Sequence, residues 1–137
     1  RVAEIARAFG AKVIYYSASG APAQEGYEQV DFETLLTQSD IISVHAPLNE
    51  HTEGLINSKA FEKMKSSCIF LNLGRGPIVD EQALYNALVR NQIAAAGLDV
   101  LCKEPMSADN PLLKIKDSKR MLITPTLPGQ AWKRELI

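Results

Sequence analysis

The chain has 137 residues, a formal net charge of −1 and 46% hydrophobic residues, which is typical of a single globular domain. The low charge gives no electrostatic reason to expect binding to nucleic acid or to an anionic membrane, and no apolar run is long enough to span a bilayer. Cys68 and Cys102 lack the CxxC spacing of metal sites. They predict reduced thiols, a cytoplasmic protein and no metal centre.

Helical and strand patterns alternate along the first third of the chain. Apolar residues recur at helical spacing from Val2 to Phe9, and Gly10 ends that pattern. Asp31 is the expected N-cap of a second helix. After the first helix, the patterns predict a strand at residues 12–17, a short strand near Val30, a helix at residues 32–39 and a strand at residues 40–47.

The same alternation continues to the end of the chain. A helix is predicted at residues 57–65 with Asn57 or Ser58 as its cap, followed by a strand at 67–76, a helix at 80–91, a strand at 93–101 and a last strand at 120–125. The strands are continuously apolar, which is typical of a parallel sheet covered by helices on both faces. The sequence therefore predicts the α/β class, with a doubly wound, Rossmann-like sheet.

Ligands of such sheets bind beyond the carboxyl ends of the strands. The stretch "NLGRGPIVDEQAL" places Arg75 there, between two glycines that allow close approach of the backbone. The planar guanidinium of arginine suits a carboxylate, although a lone arginine in a turn is more often an ordinary surface residue. The other residues that follow predicted strand ends are Ser17, residues 45–47, Asp99 and residues 124–125.

Two acidic residues and two histidines are weaker candidates. Asp99 ends a strand and could accept from an amide or a ribose, and Glu104 could orient a histidine as a carboxylate does in a catalytic triad. Each alone also fits an ordinary loop acid. His45 and His51 fit packed or loop histidines better than catalysts.

Taken together, four stretches resemble the D-isomer-specific 2-hydroxyacid dehydrogenase family: "SDIISVHAPLNEHTEGLI", "MKSSCIFLNLGRGPIVDEQAL", "AAAGLDVLCKEP" and "DNPLLKIKDSKRMLITP". The resemblance covers residues 1–125, and "YYSASG" and "DNPLL" are most similar to the glycerate dehydrogenase or hydroxypyruvate reductase branch. It implies an oxidoreductase that transfers a hydride between NAD(P)H and a small 2-oxo or 2-hydroxy acid. It also implies a homodimer, since relatives dimerise through this domain.

The resemblance also implies roles for individual residues. Arg75 would bind the substrate carboxylate and polarise its carbonyl, Glu104 would pair with the catalytic histidine, and Asp99 would contact the nicotinamide carboxamide. Ser17 replaces an aspartate that many members use for the ribose, which leaves NADP open, but no arginine follows it, so NAD is expected. The residues expected at the cofactor are Ser17, Ala46, Pro47, Thr52, Leu73, Gly74, Arg75 and Asp99.

The chain departs from the family pattern at its start. The family's first strand and Gly-rich loop precede a helix like "RVAEIARAFG", with which this chain begins. Residues 1–137 are therefore expected to form a partial dinucleotide-binding domain. In the strand order 3-2-1-4-5-6, the strands at residues 12–16 and 41–45 would then flank an empty position.

The second departure is the tail, residues 126–137. Thr126 stands where the family has a histidine, and codons for this tail can be chosen that read "HIAWAS" after a shift of one base. The hypothesis is an out-of-frame tail, and the alternative is ordinary divergence of a chain end. For the function, the alternatives to a dehydrogenase fragment are a catalytically inactive remnant and a non-catalytic relative that binds a nucleotide or a partner.

Overall fold

The computed structural model describes residues 1–124, in which helices alternate with short parallel strands. The hypothesis about residues 126–137, including Thr126, lies outside the described residues. The helices are α1 (Val2–Ala8), α2 (Phe32–Gln38), α3 (Ser58–Lys63) and α4 (Glu81–Val89), and two 3₁₀ helices span Gly76–Ile78 and Pro111–Lys114. The strands are β1 (Ile14–Tyr15), β2 (Glu28–Gln29), β3 (Ile41–Val44), β4 (Ile69–Asn72), β5 (Ala95–Leu98) and β6 (Met121–Ile123).

The strands form two parallel sheets. β1 pairs with β2, and the larger sheet has the order β3-β4-β5-β6, with Ile42 opposite Phe70 and Phe70 opposite Ala96. This arrangement confirms the predicted α/β class and the predicted neighbours of each strand. Within residues 1–124, β1 and β3 are edge strands of separate sheets and do not pair with each other.

Three helices begin at a side chain that accepts a hydrogen bond from the first turn. Asp31 accepts from the backbone N–H of Thr34 at 2.7 Å, as predicted. Asn57 and Asp80 cap α3 and α4 in the same way, at 3.2 and 3.0 Å. Each cap satisfies an amide that has no partner inside the helix. The helices within residues 1–124 are all too short and too polar to span a bilayer.

The core lies on one face of the larger sheet. Leu36, Phe61 and Leu84, one from each of α2, α3 and α4, are buried there. The rings of Phe61 and Phe70 meet edge to face, with their centroids 5.5 Å apart. The helices α3 and α4 share this face because the crossovers from β3 to β4 and from β4 to β5 have the same hand. The helix α2 packs beside α3.

The opposite face of the larger sheet differs from the expectation of helices on both faces. Ile41, Ile69 and Leu122 alternate with core residues along their strands and remain 61%, 40% and 64% exposed. The helix α1 buries none of its residues. The apolar strand sequences therefore predicted the parallel sheet correctly, but within residues 1–124 helices cover one face of the larger sheet.

Leu84→Ala should lower the free energy of unfolding by about 2 to 5 kcal/mol, because it leaves a cavity in a packed core. Leu84 is 0% exposed, whereas Leu113 is 53% exposed and offers the same chemical change on the surface. Leu113→Ala should change stability by less than about 0.5 kcal/mol. Urea unfolding followed by circular dichroism measures both, and equal effects would contradict this description of the core.

Candidate active site

Residues from four strands meet at the carboxyl edge of the larger sheet. The backbone ladder continues past the strand ends, where Leu73 N–H donates to the Val44 carbonyl at 3.1 Å and Asp99 N–H donates to the Asn72 carbonyl at 3.0 Å. Thr124 N–H donates to the Leu98 carbonyl at 3.0 Å. These bonds place the segments that follow β3, β4, β5 and β6 side by side in that order. The predicted site residues of these four segments therefore share one edge.

The backbone that presents Arg75 is fixed by a buried side chain. Asn72 is 1% exposed. Its oxygen accepts from Gly74 N–H at 3.1 Å, and its amide nitrogen donates to the Arg75 carbonyl at 3.0 Å. Arg75 itself is extended and exposed. Its guanidinium forms no ion pair or hydrogen bond with any residue between 1 and 124. The backbone on both sides of this cation is therefore anchored, and no side chain among residues 1–124 occupies its guanidinium.

The two glycines beside Arg75 allow close contacts between backbones. A Cβ on Gly76 would overlap the carbonyl of Leu101, and a Cβ on Gly74 would lie 3.0 Å from the carbonyl oxygen of Ala46. Both glycines are needed for space, since neither has a positive φ. The Arg75 loop consequently packs directly against the segments that follow β3 and β5.

Glu104 lies on a loop that is attached to α4. Its carboxylate accepts from Leu101 N–H at 3.1 Å, and the side chain is exposed. The N–H of Cys102 donates to Glu81 at 2.7 Å, and the side chain of Asn110 donates to the same carboxylate at 2.7 Å. Since Gly76 touches Leu101, the structure brings the Glu104 loop against the Arg75 loop.

Asp99 lies at the carboxyl edge of the larger sheet, whereas Thr52 is buried within the loop that follows β3. Asp99 is half-buried directly after β5, where its carboxylate accepts from the Thr124 hydroxyl at 2.7 Å. Thr52 is buried, and its hydroxyl donates to the Pro47 carbonyl at 2.7 Å while accepting from Asn49 N–H at 2.9 Å. Thr52 therefore shapes the loop of Ala46 and Pro47 from the inside.

Ser17, His45 and His51 have polar contacts with neighbouring residues of their own segments. Ser17 follows β1 in the smaller sheet, with its hydroxyl 3.1 Å from that of Ser19. His45 Nε2 is 2.9 Å from the Ser43 hydroxyl, and burial lowers the pKa of His45, which favours the neutral ring. His51 is exposed beside Glu50. Residues 1–124 contain no group of three side chains suited to a metal ion.

Three residues that shape the site were missed from the sequence. Asn72 could have been found, because an asparagine that ends the apolar run "CIFLN" must satisfy its amide inside the protein. Asn110 precedes a proline in "DNPLL", which is a helix-start signal, and it caps Pro111–Lys114 by accepting from Leu112 N–H. Glu81 gave no signal, since an acid in the first turn of a helix is common.

Both the sequence and the fold are similar to those of known proteins over most of the chain. Residues 1–127 match the family model "D-isomer specific 2-hydroxyacid dehydrogenase, NAD binding domain". A hydroxypyruvate reductase of Blautia hydrogenotrophica is 44% identical over 136 residues, which cover 96% of this chain and 41% of that protein. A glyoxylate reductase of Thermococcus litoralis is 45% identical over 119 residues, or 85% of this chain and 36% of that protein.

A solved structure of D-lactate dehydrogenase with NAD⁺ from Lactobacillus jensenii has a TM-score of 0.79 and 40% identity. The match covers 90% of this chain and 41% of that one. The chain thus spans about two fifths of the length of the hydroxypyruvate reductase and of the lactate dehydrogenase.

Alkylation of Cys102 offers a test of its burial beside Glu81. Burial and the neighbouring Glu81 carboxylate raise the pKa of Cys102 to about 12. Only the thiolate reacts, so iodoacetamide at pH 8 should modify Cys102 more than about a hundredfold more slowly in the folded chain than in urea. Peptide mass spectrometry distinguishes Cys102 from the buried Cys68. Equal rates in the folded and unfolded chains would contradict this geometry.

Proposed function

Because the chain belongs to the D-isomer-specific 2-hydroxyacid dehydrogenase family, we propose that it forms the nicotinamide-binding side of an oxidoreductase active site. The proposed reaction is reversible hydride transfer between NAD(P)H and a small 2-oxo or 2-hydroxy acid. Relatives named hydroxypyruvate reductase and glyoxylate reductase support substrates of that size and charge.

The observation that carries this proposal is the combination at Arg75 of an anchored backbone and a guanidinium that has no partner among residues 1–124. The Asn72 amide holds the residues on both sides of the arginine, so its position does not have to be organised when the substrate arrives. The guanidinium can donate two parallel hydrogen bonds to a carboxylate. It would also stabilise negative charge that develops on the substrate carbonyl oxygen during reduction.

The carboxyl edge of the larger sheet is the proposed binding site of the dinucleotide. Gly74 packs closely on the Ala46 carbonyl, so the edge has no side chain there that would obstruct a flat ligand. Ala46, Pro47, Leu73 and Gly74 would line the cofactor, with Thr52 holding the loop from below. Asp99, oriented by the Thr124 hydroxyl, would accept from the carboxamide. NAD, when bound, supplies the hydride chemistry.

Ser17 bears on the choice between the two nicotinamide cofactors. It follows β1, where a carboxylate would repel a 2′-phosphate and where a serine does not. No arginine lies in residues 18–30 to attract that phosphate. NAD is therefore the proposed cofactor, and NADP remains an alternative to be tested.

Glu104 is proposed to orient an imidazole that gives a proton to the substrate carbonyl oxygen, as a general acid does. Its carboxylate is exposed on a loop that packs against the Arg75 loop. Neither His45 nor His51 pairs with Glu104 in residues 1–124.

A second candidate, a binding module without catalysis, is favoured by the sequence at one position. By the resemblance of the sequence, Thr126 stands at the position of the family's histidine. A threonine hydroxyl is not an acid near neutral pH and cannot replace an imidazole as a proton donor. Such a module would bind the nucleotide and the substrate carboxylate but would not catalyse hydride transfer.

A chimera tests the role of Arg75. Residues 1–124 would replace the matching segment of the Blautia hydroxypyruvate reductase, which keeps its own residues elsewhere. Arg75→Ala should lower kcat/KM for hydroxypyruvate by roughly a hundredfold or more, because it removes the cation that binds the carboxylate and stabilises developing charge.

The exposed Arg90 at the end of α4 provides the matched control. Arg90→Ala should leave kcat/KM within about twofold. NADH oxidation at 340 nm measures both variants. An Arg75→Ala chimera as active as its parent would exclude the proposed role.

The tail decides between the two candidate functions. A second chimera would also carry this chain's residues 125–137, including Thr126. Turnover should disappear while NADH binding, measured by fluorescence, persists, because the tail changes the proton donor and leaves the carboxyl edge of the sheet intact. Undiminished turnover would show that Thr126 does not impair the reaction and would exclude the binding module.

A further inference from the structure

A single carboxylate joins both ends of the loop that carries Glu104. One oxygen of Glu81 accepts from the backbone N–H of Cys102 at 2.7 Å. The other oxygen accepts from the side-chain amide of Asn110 at 2.7 Å. Glu104 lies between these two attachment points. One side chain on the first turn of α4 therefore closes the segment 102–110 onto the helix.

The position of Glu81 is not explained by the needs of α4 alone. Asp80 already caps the helix by accepting from Ala83 N–H at 3.0 Å. Both oxygens of Glu81 instead point to the loop, where they form charge-assisted hydrogen bonds at short distance. The thiol of Cys102 adds a weak contact by donating to the Val79 carbonyl at 3.5 Å. The start of α4 thus serves as a docking point for the loop.

Asn110 can satisfy its partners in only one orientation. The side chain is 8% exposed, and its oxygen accepts from Leu112 N–H at 2.9 Å. A backbone N–H can only donate, so the amide nitrogen of Asn110 must face Glu81. Turning the amide over would direct oxygen at the carboxylate and leave buried groups unpaired. This requirement fixes the position of Asn110, and with it the end of the loop, relative to Glu81 on α4.

The same loop also contacts the loop of Arg75. Gly76 touches the Leu101 carbonyl so closely that a Cβ would overlap it. We propose that Glu81 and Asn110 are positioning residues that hold the Glu104 loop in register with Arg75. This proposal rests on the function proposed above for Arg75 and Glu104. The new element is that the placement of Arg75 relative to Glu104 depends on the start of α4, which is not proposed to contact the substrate or the cofactor.

Hydrogen exchange on the full chain tests the positioning without any assay of activity. Glu81→Gln should still accept from Cys102 but would turn an NH₂ group toward the NH₂ group of Asn110. Amides in residues 101–110 should then exchange roughly tenfold faster, because one attachment of the loop is lost. The exposed Glu62→Gln on α3 is the matched control and should change nothing in that segment.

A double variant separates this hydrogen-bond pattern from a general effect on folding. With Asn110→Asp added to Glu81→Gln, the glutamine NH₂ donates to the new carboxylate, which still accepts from Leu112 N–H, and the net charge equals that of the parent. Exchange in residues 101–110 should return to the parent rate. Unchanged exchange in Glu81→Gln, or no recovery in the double variant, would overturn the positioning role.

The chimera described above extends the test to turnover. Glu81→Gln should lower kcat roughly tenfold or more while KM for hydroxypyruvate stays within about twofold, because Asn72 anchors Arg75 independently of this loop. The double variant should restore kcat. A rise in KM with unchanged kcat would overturn the inference. An inactive parent chimera would count against the proposed function, while the exchange experiment would still decide the positioning role.

Discussion

The edge of the larger sheet depends on the buried amide of Asn72. Its oxygen and nitrogen bind the backbone before and at Arg75, which turns the end of β4 into a fixed loop. An apolar residue of similar size would fill the same space but leave the Gly74 N–H without its partner, which is costly for a backbone amide turned away from water. The Arg75 carbonyl would keep only the 3.3 Å bond from Ile78 N–H. The neighbouring segments then attach to this end through the Leu73 and Asp99 N–H groups.

Close packing between backbones fixes the Glu104 loop relative to the Arg75 loop. Gly76 has no side chain, so the Arg75 loop lies directly on the peptide that joins Leu101 and Cys102. Glu81 then holds the same peptide from the side of α4. The candidate site is therefore assembled from the Arg75 loop, the peptide between Leu101 and Cys102 and the start of α4, and the side chains of Arg75 and Glu104 are exposed. Such preorganisation is what electrostatic stabilisation of a reaction requires.

The sequence predicted the α/β class and most helix starts, because strand apolarity and caps such as Asp31 act locally. It also predicted which residues follow the strand ends, since the carboxyl ends of parallel strands share one edge. It did not predict the contact between Glu81 and Cys102, which are 21 positions apart and meet only when a helix start packs against a loop. Nor did it predict that the hydroxyl of Thr52 would point inward, because a threonine in a polar loop gives no signal of burial.

The carboxylate of Glu81 also has a consequence for the chemistry of the neighbouring thiol. With a pKa of about 12, Cys102 is almost entirely protonated at neutral pH. Peroxides attack thiolates, and sulfenic acid forms only slowly on a thiol that stays protonated. An exposed cysteine two residues from Glu104 is thus a poor sensor of oxidative stress. The Glu81 carboxylate therefore protects this part of the loop from oxidation as well as holding it against α4.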